Sequence, residues 1–179
     1  AIRLVNAPEG WSKYLSITPS TIEIAGPADV IDVMTDYPAG SIDVSSITGS
    51  TRIPMTLPLI QNVLDVNQTG FVTVDIDYSK VKSKNVSVSQ IVLDGIANID
   101  LGNYSVTPAT TVLENVKIYA PSGDIGGVSS ENLKAVASID PNNLTAGQIS
   151  LPVKIVSTDK KMVWAVGSYS ILVNITPKS

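Results

Sequence analysis

The sequence predicts an all-β protein, mainly strands with at most short helical turns, arranged as two tandem β-rich domains. Aromatic residues make up only 5% of the chain, so Val and Ile fill most of the core, and β-branched side chains favour strands. Several short segments alternate apolar and polar residues, which is the pattern of a half-buried strand. The same landmarks then recur in the same order in the second half. We therefore predict a first domain at residues 1–82 and a second at residues 83–179.

The chain opens with a predicted strand at Ile2–Val5, a turn at Pro8-Glu9-Gly10 and a further segment at residues 11–17. Pro and Gly at these positions suit a β-turn. Residues 21–25 alternate and stop at Gly26-Pro27. We expect Ile22 and Ile24 to be buried and Glu23 to be exposed.

A short helical turn is predicted over residues 28–34, because Pro27 suits a first helical position and Asp29 a first turn. Val30, Ile31 and Met34 would face inward. The turn ends before the Tyr37-Pro38-Ala39-Gly40 sequence, which is typical of loops.

Three further strands are predicted in the first half. Residues 41–45 form a short strand, and residues 53–59 form an edge strand, because Pro54 and Pro58 cannot donate to a ladder. Residues 63–66 precede a polar turn. Residues 71–77 alternate most clearly and are predicted to close the first domain.

The second half begins after a polar segment at residues 79–85, whose Lys80, Lys82 and Lys84 we interpret as part of a solvated linker. The predicted domain junction lies within residues 81–85. A strand at residues 86–93 would end at Asp94-Gly95, followed by a less regular stretch at residues 96–108.

The repeat is indicated by matched landmarks in the two halves. The match is closest where Ser138-Ile139-Asp140 repeats Ser41-Ile42-Asp43. The other matches are Asn115–Pro121 with Thr21–Pro27, Leu151-Pro152 with Leu57-Pro58, and residues 171–175 with residues 72–76. The repeated unit spans about half of the chain. A unit of that size indicates domain duplication, because the repeats of solenoid proteins are shorter.

Composition argues against several classes of protein. The chain has no His and no Cys, which removes the commonest catalytic bases, thiol nucleophiles and soft-metal ligands. Its net charge is −4 with no basic stripe, unlike a nucleic-acid-binding domain. No apolar run is long enough for a membrane span. We predict a protein without catalytic, cofactor-binding or metal-binding residues.

Four features could still carry chemistry. Asp43 and Asp140 occupy equivalent positions, where we expect each to cap a turn, with an ionic or catalytic role as the alternative. Residues 65–70 resemble the start of a calcium loop, but Ile76 stands where a Glu is required, so a hairpin turn is predicted. The Gly-rich residues 122–127 lack the Lys of a phosphate loop. Trp11 and Trp164 are expected to pack in the core or at a sheet edge rather than to serve as ligand platforms.

The order of landmarks resembles the YbbR-like domain family. A proline-led strand ends in Gly-Pro at Pro27, a helical turn follows, and then come Ile42-Asp43, a Gly loop, Leu57-Pro58 and a closing strand through Val72, Val74 and Ile76. The second half is a looser copy, in which Ala120 replaces Gly, Pro141 follows Asp140, and residues 96–111 are longer.

The resemblance implies a bacterial extracytoplasmic chain, anchored through a transmembrane helix outside these residues. It further implies a non-catalytic interaction and regulatory module whose protein partner is a membrane-bound diadenylate cyclase, the enzyme that makes cyclic di-AMP. A structural surface stalk or adhesin built from tandem β domains is the alternative. An enzyme that uses carboxylates is the least favoured hypothesis.

Overall fold

The structure is a computed structural model that describes residues 1–96, 101–159 and 161–178. It divides into two compact units, Ala1–Lys80 and Val81–Ser179. The division lies two residues before the predicted boundary, and the tandem assignment of two YbbR-like copies stays a prediction. Within the described ranges, no helix is both long and apolar enough to cross a membrane.

The first unit contains seven strands and one short α-helix. They are β1 Ile2–Val5, β2 Leu15–Thr18, β3 Ile24–Ala25, α1 Ala28–Ile31, β4 Gly40–Asp43, β5 Thr51–Thr56, β6 Leu64–Asp65 and β7 Phe71–Ile76. Short 3-10 helices cover Trp11–Tyr14 and Val44–Ser46. The all-β class and the short helical turn after Pro27 are thus confirmed.

Strand β7 is the central strand of a three-stranded sheet in the first unit, where it lies between β2 and β5 and pairs antiparallel with both. Its alternate residues Val72, Val74 and Ile76 are buried, as the strict alternation predicts. Strand β5 is an edge strand, as its prolines predict. Separate ladders join β1 to β4 in parallel and β3 to β6 antiparallel.

The described residues of the second unit form eight strands. They are β8 Val81–Val88, β9 Gln90–Asp94, β10 Tyr104–Pro108, β11 Leu113–Pro121, β12 Leu133–Ser138, β13 Gly147–Ser157, β14 Trp164–Ala165 and β15 Tyr169–Pro177. Five form a sheet in the order β10-β15-β13-β12-β9, and three form a sheet in the order β14-β11-β8. The predicted irregular stretch at residues 96–108 becomes β10 at its end, whereas residues 97–100 lie outside the described residues.

Each pairing of the first unit has a counterpart in the second. The parallel β1–β4 pair corresponds to β9–β12, and the antiparallel β3–β6 pair corresponds to β11–β14. The order β2-β7-β5 corresponds to β10-β15-β13. Single hydrogen bonds recur as well, since Val66 donates to the Glu23 carbonyl and Val166 donates to the Lys117 carbonyl, both at 2.9 Å.

Two pairings belong to the second unit alone. Strand β12 also pairs with β13, and β8 pairs antiparallel with β11. The predicted solvated linker at residues 81–85 is therefore wrong, because Val81, Lys82 and Lys84 lie in β8. The polar residues of β8 resemble those of a linker, because β8 is an edge strand and edge strands tolerate lysine and serine. The single strand predicted at residues 86–93 is correspondingly two strands, β8 and β9.

The match between Leu57-Pro58 and Leu151-Pro152 is also wrong. Met55 lies opposite Val72 in the first unit, and Leu151 lies opposite Ile171 in the second. Since Val72 and Ile171 are the matching buried residues of the closing strands, Leu151 corresponds to Met55. The shared dipeptide is a coincidence of sequence.

Candidate interaction surface

Asp43 ends β4 and holds the turn that follows it. Its Oδ1 accepts hydrogen bonds from the Ser45 N–H at 3.0 Å, from the Ser45 hydroxyl at 2.7 Å and from the Asn6 amide at 2.9 Å. The Asn6 and Ser45 bonds stabilise the ionised carboxylate, so the pKa of Asp43 is lowered from its usual value. The predicted capping role is confirmed for Asp43.

Asp140 makes the same local contact in the second unit. Its Oδ1 accepts a hydrogen bond from the Asn142 N–H at 2.9 Å, two residues along the chain, as Asp43 does with Ser45. The other bond to Oδ1 comes from the Asn142 amide at 3.3 Å. Both carboxylates thus act as turn caps, which gives each a structural role.

Asp65 closes the turn that resembles a calcium loop. Its two carboxylate oxygens accept hydrogen bonds from the Thr69 hydroxyl at 3.3 Å and from the Gly70 N–H at 3.2 Å. The prediction of a turn is correct, but the prediction of a hairpin is wrong, because β6 pairs with β3 while β7 pairs with β2 and β5. Among the described residues, no group of three or more acidic side chains is placed to hold a metal ion.

Both tryptophans are buried, as predicted. The Trp11 Nε1 donates to the Tyr78 hydroxyl at 3.2 Å, and the two rings meet edge to face at 6.1 Å. Trp164 stacks on Tyr119 with the ring centroids 6.1 Å apart. The Gly-rich residues 122–127 form a tight turn that ends in the 3-10 helix Ile125–Gly127.

Apolar side chains are exposed at one end of the first unit. Leu59 is 99% exposed, Leu64 65%, Phe71 58% and Val66 43%. We call these four residues the apolar rim. Isolated exposed apolar residues are ordinary, but a concentration of large ones indicates an interaction site.

Backbone and turn contacts bring the rim together. The Leu57 N–H donates to the Gly70 carbonyl at 2.9 Å, next to Phe71 at the start of β7. The Asp65 carboxylate holds Gly70 to β6, which carries Leu64. The segments that carry the four side chains therefore meet at the end of the sheet where β5 stops and β7 begins.

The sequence gives only a partial signal for this surface. Leu59 continues the apolar alternation of residues 53–57 and falls within the strand predicted at residues 53–59. The structure exposes it because β5 ends at Thr56 and Leu59 lies beyond the sheet. Its position after Pro58 is the one indication of this, since proline lacks the N–H that a strand needs.

The first unit also carries an uneven charge. Residues 14–51 contain no Lys or Arg, but they contain Glu23, Asp29, Asp32, Asp36 and Asp43. The segment that includes β3 and α1 therefore carries a net negative charge, which favours basic partners through electrostatic attraction.

The chain is similar to solved structures of YbbR-like proteins. No protein-family model and no curated protein matches it. The YbbR-like domain of the lmo2119 protein from Listeria monocytogenes is 14% identical, with 55% of this chain and 96% of that chain covered and a TM-score of 0.35. A YbbR-like protein from Streptococcus pneumoniae TIGR4 is 14% identical, with 99% of this chain and 90% of that chain covered and a TM-score of 0.36. Both of these structures are described as YbbR-like.

Proposed function

We propose that this protein is a non-catalytic interaction module that binds a protein partner through the apolar rim. The rim is the observation that carries the proposal, because exposed Leu and Phe side chains gain free energy when a partner covers them. Fully burying one such side chain is worth about 1.5–3 kcal/mol. Leu59 is the most exposed of the four residues at 99%, and Phe71, which is 58% exposed, has the largest side chain.

The more specific proposal follows from the sequence resemblance to YbbR-like domains. We infer an extracytoplasmic location, anchorage to the bacterial membrane outside these residues, and a membrane-bound diadenylate cyclase as the partner. In this role the module regulates the synthesis of cyclic di-AMP by contact and performs no chemistry of its own. The turn-capping roles of Asp43 and Asp140 are compatible with that.

Co-purification from membranes tests this proposal. The full-length protein should associate with the cyclase, and the Leu59→Lys, Phe71→Lys double variant should lose at least about tenfold of that association. Leu172→Lys is the matched control, because Leu172 is 44% exposed but belongs to the second unit. The regulatory proposal fails if the protein does not associate with the cyclase and its deletion leaves the cellular level of cyclic di-AMP unchanged.

A structural stalk or adhesin is the second candidate function. The observation that favours it is the recurrence of every strand pairing of the first unit in the second, since repeated domains serve as spacers. A stalk depends on the number of units and not on the rim. A chain with the rim double substitution that keeps its full cellular function would therefore favour the stalk.

A further inference from the structure

Asp94 and Gly95 lie at the end of strand β9, and both are exposed. Gly95 has a φ of +91°, a conformation that glycine adopts readily because it has no Cβ. The sequence contains no other Asp or Asn that is followed directly by Gly. Every other aspartate precedes a residue with a larger side chain, most often Val. The amide after Asp94 is therefore the least shielded one that follows an aspartate in this chain.

The Asp94 carboxyl group is held against this amide. The Gly95 N–H donates a hydrogen bond to Asp94 Oδ1 at 2.9 Å. Because Oδ1 is bonded to Cγ, the same contact brings the Gly95 nitrogen next to the Asp94 Cγ. Two groups that already lie together need little further motion to react, which raises the rate of an intramolecular reaction.

The aspartates that cap turns hold their carboxylates differently. Asp43, Asp77, Asp140 and Asp159 each accept a hydrogen bond from a backbone N–H two residues along the chain. That bond directs the carboxylate beyond the peptide group that follows it. In the hydrogen bonds among the described residues, Asp94 is the one aspartate whose carboxylate bonds the amide directly after it.

The peptide group between Asp94 and Gly95 is fixed on its other side as well. The Asp94 carbonyl accepts a hydrogen bond from the Ile139 N–H at 3.0 Å, at the end of the parallel β9–β12 pair. Gly95 packs closely on Ile139, since a Cβ on Gly95 would lie 2.5 Å from the Ile139 carbonyl oxygen. The fold thus holds the peptide group in place while the carboxyl group lies against its nitrogen.

We propose that Asp94-Gly95 is a site of spontaneous backbone isomerisation, at which Asp94 converts to isoaspartate. The Gly95 nitrogen attacks the Asp94 Cγ, a new N–C bond forms, and the amide proton leaves with one carboxyl oxygen and a second proton as water. The product is a five-membered succinimide ring. The reaction uses neither the apolar rim nor the turn caps, and it goes beyond the proposed interaction function.

Hydrolysis of the ring completes the reaction. Water adds to one of the two ring carbonyls and breaks the bond between that carbonyl carbon and the nitrogen. Opening at Cγ restores aspartate, whereas opening at the α-carbonyl leaves the main chain running through Cγ. One water is lost and one is gained, so isoaspartate has the composition of aspartate but adds one carbon to the main chain.

The isomer should loosen the end of the β9–β12 pair. The α-carbonyl that accepts from Ile139 becomes a carboxylate outside the main chain, and the added carbon lengthens the chain where Gly95 has no spare room. The Ile139 N–H should therefore lose hydrogen-exchange protection by at least about tenfold in the isomer. Unchanged protection would contradict this structural consequence.

Peptide mapping after incubation in neutral buffer at body temperature is the direct test. Isoaspartate should accumulate at Asp94 at least about tenfold faster than at Asp124, an exposed aspartate of the same unit that precedes Ile125. In water that carries a heavy oxygen isotope, each converted Asp94 should gain one labelled oxygen, because the ring opens by hydrolysis. Equal conversion of the two aspartates, or conversion without label, would overturn the proposal.

The contribution of the fold is measured separately. The native chain should convert Asp94 at least as fast as the chain unfolded in urea at the same pH and temperature, because the fold holds the carboxyl group against the amide. Slower conversion in the native chain would overturn the proposal, since it would show that the fold protects this site.

Two substitutions at the exposed Asp94 test the ring. Asp94→Asn keeps the ring size and releases ammonia in place of water, and it should react at least about tenfold faster because its amide carries no negative charge. Asp94→Glu keeps the charge but requires a six-membered ring, so it should abolish conversion. Conversion of Asp94→Glu at the rate of the unmodified chain would contradict the succinimide route. Association with the cyclase should be the same for Asp94→Glu as for the unmodified chain, so each proposal can fail without the other.

Discussion

The two units show how one set of pairings behaves with and without a covering strand. Both contain a parallel strand pair, an antiparallel strand pair and three antiparallel strands in the same spatial order, and the matching strands follow one another in the same order along the chain. The second unit adds β8, and with it Val116 and Ile118 become fully buried. In the first unit the corresponding Ile22 and Ile24 are half-buried, so the prediction that they would be buried is wrong. The comparison shows that β8 completes the burial of β11.

The largest expected effect is a difference between matched isoleucines. Ile118→Ala should destabilise the second unit by about 2–5 kcal/mol, because it leaves a cavity in a closed core. Ile24→Ala should cost the first unit about half of that or less, since Ile24 is only half-buried. Urea unfolding of each variant measures both values, and equal costs would contradict the difference in burial between the two residues.

A smaller effect is expected at the residues that end the two matched strands. A Cβ on Gly26 would lie 2.5 Å from the Asn62 carbonyl oxygen, a backbone atom that cannot move freely. Gly26→Ala should therefore destabilise the first unit by about 1–3 kcal/mol. The second unit already carries Ala120 at the matching position, fully buried. Thermal unfolding checks this prediction, and an unchanged or raised Tm for the first unit would contradict it.

The two aspartate caps should differ by less again. Asp43 accepts bonds from Asn6 and Ser45 and so ties β1 to the turn after β4, whereas both bonds of Asp140 come from Asn142. Asp43→Ala should cost about 1 kcal/mol, as for a lost cap, and Asp140→Ala clearly less. Chemical denaturation of the pair provides the measurement. A larger loss of stability for Asp140→Ala than for Asp43→Ala would contradict the view that the Asn6 bond stabilises the first unit.

The smallest effect is expected at Asp159, a carboxylate of the second unit that has no assigned counterpart in the first unit. Bonds from Lys161 and Ser157 lower the pKa of Asp159 to about 2, from an ordinary value of 3.8. Because the folded pKa is the lower one, its stabilising contribution is complete above pH 3.8 and is lost as pH falls towards 2. Carboxyl NMR titration should show a midpoint near pH 2. Asp159→Asn should then remove part of the acid dependence of stability, and a midpoint near 3.8 would show that these bonds do not stabilise the ionised carboxylate.

The sequence predicts strands well where alternation and turn residues agree. Strand β7 satisfies both conditions, with three buried apolar residues alternating after Gly70. Strand β12 was not predicted, because alanine and lysine at Leu133–Ser138 have low strand propensity and its identity comes from its neighbours β9 and β13. Strand β8 was assigned to a linker for the related reason that an edge strand can be polar.

The candidate sites were less predictable than the fold. The turn roles of Asp43 and Asp140 follow from local chemistry, since each bonds a backbone N–H two residues away. The apolar rim depends on where β5 ends. Its position cannot be deduced from periodicity, because periodicity indicates the two faces of a strand and not where the strand stops.

The parallel pair β1–β4 also has a kinetic consequence. Ile2 pairs with Gly40, so β1 has no ladder partner until β4 has been synthesised. Sequence-distant contacts of this kind slow folding, because the chain must close a long loop before the contacts stabilise it. During that interval the apolar face of β1 stays exposed, and chaperone binding during synthesis should concentrate on it.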